Sequence, residues 1–258
     1  MTEAVAKAKK PTNWAHEAWQ LFLLVLGVLA IHSLVAKPFY IPSGSMLPTL
    51  LVGGRLIVSK YPYGYSYLSP SLNILPPMQG RVAGSLPQRG DIAVIKSPGD
   101  QADWIKRVIG LPGDTVQMKD GQLWLNGKPV PKVKVADTEM LVTPNSDCTT
   151  MIDSQYRTTN TAGEAVCRFP TYRETLPGGP SYLTLDMATL PQDNTEPVIV
   201  PEGHVFLMGD NRDNSKDSRF APEIGGLGLL PVENLVGRAE FTTFSLDGTE
   251  SLWNPLSW

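Results

Sequence analysis

Apolar residues crowd into one long run near the amino terminus and then scatter. The run covers residues 19–36, WQLFLLVLGVLAIHSLVA, and no polar face breaks it between 21 and 31. About 18 such residues approach the length that carries a helix across a bilayer's hydrocarbon. A helix apolar all round is also unlike the amphipathic helix of a soluble core. The pattern predicts a transmembrane anchor over 19–36, with His32 and Ser33 as polar interruptions near its end. Lys7, Lys9 and Lys10 precede it, and Lys37 follows alone. Because cytoplasmic flanks carry the excess of basic residues, 1–18 is expected in the cytoplasm and everything after Lys37 outside. The alternative is a cleaved signal peptide, with compact residues at Val28-Leu29-Ala30. The run continues through Ile31, Leu34 and Val35, which favours a retained anchor.

Beyond Lys37 the pattern shortens to strand length. Leu56-Ile57-Val58, residues 91–95 (DIAVI), 104–109 (WIKRVI), 115–118 (TVQM), 204–208 (HVFLM) and 235–244 read as strands. Residues 122–130, QLWLNGKPV, predict a hairpin whose Asn126-Gly127 pair supplies a type I′ turn. Prolines and glycines punctuate the whole, so the expected fold is mostly β: an antiparallel ectodomain behind a transmembrane helix. Residues 130–200 are more polar, threonine-rich and broken by proline. They read as an inserted smaller β subdomain that divides a catalytic core into 37–129 and 201–258. The tyrosine-rich stretch 61–68 and the tail 251–258, with Trp253 and Trp258, suit either a bilayer surface or a β core.

Charge and composition narrow the classes of function. The formal net charge is −3 and no basic stripe runs through the later chain, so nucleic acid is not an expected partner. Cys148 and Cys167 form no CxxC pair and no histidines cluster with them, which argues against zinc. Outside the cytoplasm they could form a disulfide contributing about 3 kcal/mol by loop closure; two buried thiols are the other reading. Gly225-Gly226-Leu227-Gly228 lacks the lysine of a phosphate loop. Were Asp213 to open a calcium loop, Ser218 would replace its glycine and Ile224 its bidentate glutamate. Neither a metal nor a cofactor is expected.

What remains is a serine and a lysine. Ser45 lies in Pro42-Ser43-Gly44-Ser45-Met46-Leu47-Pro48, just past the anchor, and Lys106 lies in a strand-like run beside Ile105, Val108 and Ile109. Taken singly, the first is an ordinary turn and the second an ordinary surface lysine. Together they have a chemical logic. A serine hydroxyl needs a base to become a nucleophile, and a lysine serves only when burial strips its charge. A histidine triad would have to rest on His204 alone; its geometry needs a base oriented by an acid, and nothing local argues for that. Downstream, residues 209–219 (GDNRDNSKDSR) have the density of glycine, asparagine and aspartate expected of a tight, hydrogen-bonded loop that shapes a site.

In combination, residues 38–50, Arg89-Gly90-Asp91-Ile92, 104–114, 209–219 and 235–239 resemble the type I bacterial signal peptidases, or leader peptidases. The resemblance implies a signal-peptidase/LexA-like β fold, with Ser45 as nucleophile and Lys106 as general base. It implies an oxyanion hole from the Ser43 hydroxyl and the Ser45 N–H. Ser215 would orient the lysine amine, and Asp217 and Arg219 would form a supporting ion pair with Arg107 nearby. Phe39, Ile41, Met46, Leu50, Trp104 and Ile105 would shape shallow pockets for small side chains. The implied partners are signal-peptide-bearing preproteins cut after Ala-X-Ala and the lipid bilayer. The implied location is the bacterial inner membrane, in a single pass with the catalytic domain periplasmic. The best-known members have two transmembrane segments, whereas one is expected here. A LexA-type self-cleaving protease would need a DNA-binding domain where the anchor stands. A conjugative-pilin peptidase of the same superfamily and a silent membrane-tethered binding module complete the alternatives; oligomeric state is not legible.

Overall fold

The computed structural model describes residues 13–70, 75–148 and 152–245. Lys7, Lys9, Lys10 and the 251–258 tail lie outside the described residues. One helix, Trp14–Leu34 (α1), opens the structure. Asn13 caps it by accepting from the His16 N–H at 3.3 Å. None of its residues is buried, and it is long and apolar enough to cross a membrane, with a mean hydropathy of 1.7 over its most apolar stretch. It starts earlier than the expected 19–36 and stops sooner. The physical reason is at its end, where the Val35 carbonyl accepts from Lys60 N–H and Ala36 already pairs with Ser59.

The strands follow in chain order. The first four are β1 (Ala36–Tyr40), β2 (Gly54–Ser59), β3 (Ile92–Lys96) and β4 (Asp103–Gly110). Next come β5 (Thr115–Lys119), β6 (Gln122–Leu125), β7 (Lys128–Pro129), β8 (Lys132–Lys134) and β9 (Thr138–Leu141). Then come β10 (Arg157–Thr159), β11 (Ala165–Phe169), β12 (Thr171–Thr175) and β13 (Ser181–Leu185). Last are β14 (Val198–Ile199), β15 (His204–Met208), β16 (Leu230–Pro231) and the long β17 (Leu235–Ser245). A seven-stranded sheet runs β1-β2-β17-β3-β4-β15-β16, every pairing antiparallel. Among the described residues the fold is thus mostly β behind a single apolar helix. At the β6–β7 hairpin Asn126 and Gly127 have φ of 53° and 74°, the pair of positive values a type I′ turn requires.

Strand β4 sits among three apolar clusters. Ile105 packs with Phe39, Ile41, Met46, Leu50, Leu56 and Val94. Val108 packs with Tyr63, Ile95 and Leu207, and Ile109 with Val116, Leu123 and Phe206. A strand covered on both faces dries whatever polar group it carries, which matters for Lys106.

Residues 130–200 meet the main body at several points, while Cys148, Cys167, Phe169, Leu185 and Met187 gather in a cluster of their own with Leu47. Val130, Leu176, Tyr182 and Val200 share a cluster with Ile109, Phe206 and Met208. Strand β14 pairs with β5, and Leu185 exchanges backbone hydrogen bonds with Asp210 and Arg212. The two cysteines are joined, Cys148 to Cys167, beneath a cluster that includes Leu47. Alternation in this stretch is weak because its strands are short and partly exposed. That is why their pairing was hard to read from sequence.

Candidate active site

Ser45 occupies a single 3-10 turn, Gly44–Met46, that follows β1. Proline on either side discourages a longer helix: Pro42 lies just before the turn and Pro48 just after. Met46 is buried and pins the turn to the core, leaving Ser45 half-buried at the surface of a cleft. The 209–214 loop holds the turn from the other side. Asn211 donates its backbone N–H to the Ser45 carbonyl at 3.1 Å and its side-chain amide to the Gly44 carbonyl at 3.2 Å.

Lys106 reaches this point from β4. Its Nζ donates to Ser45 Oγ at 2.8 Å and to the Ile105 carbonyl at 3.1 Å. The residue is only 4% exposed. Burial lowers its ammonium from the ordinary 10.5 to about 8; Asp217 and Asp210 pull the other way, and Arg219 lowers it further. Ser43 Oγ lies 3.5 Å from Ser45 Oγ, at the outer limit of a hydrogen bond. The cleft beside the pair encloses about 370 Å³ and is walled chiefly by Ile41, Met46, Trp104 and Ile105.

Phe39 and Leu50, expected on the cleft wall, are not among its lining residues but stand in the cluster behind it. Asn214 and Lys216, which sequence reasoning passed over, do line it. Their proximity depends on how the 209–219 loop folds back, and no local pattern encodes that.

Two expected contacts are arranged differently. Arg107 does not join Asp217 and Arg219. Successive side chains on a strand leave opposite faces, and Arg107 pairs with Asp210 by Nε–Oδ1 at 2.7 Å and Nη2–Oδ2 at 2.6 Å. It also donates to the Gly90 carbonyl at 2.8 Å and lies 4.2 Å from the Tyr182 ring. Ser215, expected to bond the lysine amine, has a buried Oγ with no hydrogen-bond partner among the described residues. It packs against Gly209, where any Cβ would collide with its side chain.

Asp217 and Arg219 do form an ion pair, both side chains fully buried. The Arg219 guanidinium meets both Asp217 oxygens at 2.9 Å, and Gly209 N–H donates to Oδ2 at 3.0 Å. Burial by itself would push the Asp217 carboxyl up. Arg219 and the amides of Gly209 and Arg219 outweigh it and hold the group below the usual carboxylate range. His204 stands apart, its Nδ1 3.0 Å from the Glu202 carbonyl, and lines a different cavity.

A serine hydrogen-bonded to a dry lysine at the edge of an apolar cleft has the parts of a hydrolase. The family model described as signal peptidase, peptidase S26, matches residues 13–244. The chain belongs to that family. It is 36% identical over 226 residues to signal peptidase I of Rickettsia typhi, covering 84% of this chain and 75% of the relative. It is 34% identical over 239 residues to signal peptidase I of Rickettsia canadensis, covering 89% and 80%. A solved structure of a signal peptidase I from Enterococcus faecalis is 25% identical, spanning 60% of this chain and 97% of that one with a TM-score of 0.31. As a peptidase S26 member the protein is an enzyme, a serine endopeptidase with one apolar helix suited to membrane anchoring.

Proposed function

We propose that this enzyme removes signal peptides from exported preproteins by a Ser45/Lys106 acyl-enzyme mechanism, cutting after small residues of the Ala-X-Ala kind. The observation that carries the reading is the 2.8 Å contact between Ser45 Oγ and a lysine amine that burial has brought to about 8. Lowering a lysine that far from 10.5 costs roughly 3 kcal/mol, within what desolvation imposes.

Neutral Lys106 accepts the Ser45 hydroxyl proton as Oγ attacks the scissile carbonyl. The resulting ammonium returns a proton to the leaving amine, and water, deprotonated by the same amine, then hydrolyses the ester. The Ser45 N–H and Ser43 hydroxyl serve as donors to the oxyanion; one such donor is worth about 3–4 kcal/mol. Asp217 and Arg219 keep the loop beside Lys106 rigid, and Arg107 with Asp210 ties β4 to the start of that loop. Ile41, Met46, Trp104 and Ile105 receive the small side chains that precede the cut. Phe39 and Leu50 support those walls from behind.

The helix anchors the enzyme in the inner membrane in a single pass, with its amino terminus cytoplasmic and the catalytic body outside. Enzyme and signal helix are then confined to one surface, which raises their effective concentration. The deciding experiment is cleavage of a purified preprotein bearing an Ala-X-Ala site by wild type, Ser45→Ala and Lys106→Ala across pH. Loss in both folded variants, with a wild-type rate rising through a pKa near 8, supports the reading. Undiminished cleavage by Lys106→Ala would overturn the assigned base.

A further inference from the structure

We propose that Asp186, Asp193 and Asp213 form a binding site for a divalent cation of calcium's size and oxygen preference, away from the Ser45 cleft. One carboxylate oxygen of each lies within 4.8 Å of those of the other two. That is the spread of oxygens around one hard cation with metal–oxygen distances of about 2.4 Å. The three come from separate places: Asp186 follows β13, Asp193 closes the 3-10 turn Pro191–Asp193, and Asp213 belongs to the 209–219 loop.

The second observation is an orphaned oxygen. Asp213 is 9% exposed, and its Oδ2 accepts the Met187 and Ala188 N–H groups at 2.5 and 2.9 Å. Its Oδ1 is buried with no hydrogen-bond partner among the described residues. A buried carboxylate oxygen left without a donor is costly, and a cation is the ligand that satisfies it. Asp193 Oδ2 is fixed by the Leu190 N–H at 2.7 Å, so it too is held in place.

Lys132 is the competing cation. It pairs with Asp186 and donates to the Gly121 carbonyl at 2.8 Å. One ammonium against three carboxylates leaves negative charge to spare, and Asp120 lines the same cavity of about 440 Å³ as Asp186, Asp193 and Thr189. Asp186 and Asp193 border that space, which Asp213 does not line, and it admits the waters calcium needs to reach six or more ligands. An all-oxygen set with irregular geometry suits calcium better than magnesium, which demands a near-ideal octahedron, or zinc, which favours nitrogen and sulfur. Bound there, the ion would tie the 209–219 loop to the segment after β13.

The test uses the full chain in detergent micelles, stripped with EDTA and then titrated with CaCl2 by equilibrium dialysis and thermal unfolding. The expected result is a single saturable site with a Kd of about 0.1–1 mM, the range of sites outside the cytoplasm. Tm should rise by about 3–5 °C at roughly ten times Kd. Asp186→Asn and Asp193→Asn should unfold cooperatively in EDTA and bind calcium at least about tenfold more weakly. Absence of binding and of a Tm shift at about 10 mM CaCl2 overturns the site. So does a shift as large in both variants as in wild type. An equal effect of MgCl2 overturns the assignment to a calcium-sized ion.

Discussion

Asn211 holds Ser45 by the backbone, its N–H meeting the Ser45 carbonyl at 3.1 Å while its side chain bonds Gly44. The Ser45 turn is therefore positioned by a loop remote in sequence, and under the proposed mechanism displacements below an ångström alter attack geometry. Asn211→Ala keeps the first contact and removes the second. Cleavage should fall about 10- to 100-fold in kcat with KM little changed, measured by steady-state kinetics on a preprotein. A change confined to KM would count against the positioning role.

Lys106 has a depressed pKa, and the sign of its linkage is definite. Between about 8 and 10.5 the unfolded chain binds a proton that the folded chain has released, so stability rises with pH across that window. Below it the buried ammonium is a net cost. Lys106→Met should therefore be inactive and, at neutral pH, more stable by up to about 3 kcal/mol, with the advantage shrinking as pH rises toward 10.5. Denaturant unfolding of both proteins at several pH values checks this.

Wild-type activity should rise with pH and reach half its plateau near 8, where Lys106 loses its proton. Lys106→Arg should abolish the profile together with the activity, because a guanidinium stays charged.

Gly209 owes its identity to crowding. A Cβ there would run into the Ser215 side chain and the Ser45 carbonyl, so Gly209→Ala must move the nucleophile's turn. A loss of about 2–4 kcal/mol and of most activity is expected. Gly127→Ala at the exposed hairpin turn meets nothing within 4 Å, carries only the strain of its φ of 74°, and should leave activity intact.

Glu174 and Arg212 form a buried pair, with Nη1–Oε1 at 2.7 Å and Nη2–Oε2 at 2.5 Å, joined by the Tyr182 hydroxyl. Glu174→Leu strands a guanidinium in a dry core and should cost about 3–5 kcal/mol. Glu139→Gln, which breaks the exposed Arg168 pair, should cost under about 1 kcal/mol. Parallel urea titrations separate the two.

The apolar helix, the β character of the rest, the Asn126-Gly127 turn and the pair Ser45 and Lys106 were legible in the chain. The first three depend on local information: an unbroken apolar run, a period of two and a turn dipeptide; Ser45 and Lys106, ordinary when taken singly, stood out through the combination of segments that resembles the signal peptidases. Contacts that cross the molecule were not. Arg107 lies beside Lys106 in sequence yet pairs with Asp210 on the other face of β4, because a strand alternates its side chains. Ser215 was expected to face the lysine amine, but it packs on Gly209 with its hydroxyl unpartnered.

By itself, then, the sequence determined the apolar helix, the β character of the rest and the candidates for the chemistry, since propensity, periodicity and intrinsic reactivity act over a few neighbours. Only the tertiary structure decided that Val130, Leu176, Tyr182 and Val200 share a core with Ile109 of β4 and Phe206 and Met208 of β15. It also decided that Asn211 clasps the Ser45 turn and that Asp186, Asp193 and Asp213 converge. Those outcomes follow from which faces bury together when the chain collapses. Burial is also what sets the Lys106 amine near 8, a property of its surroundings rather than of the residue.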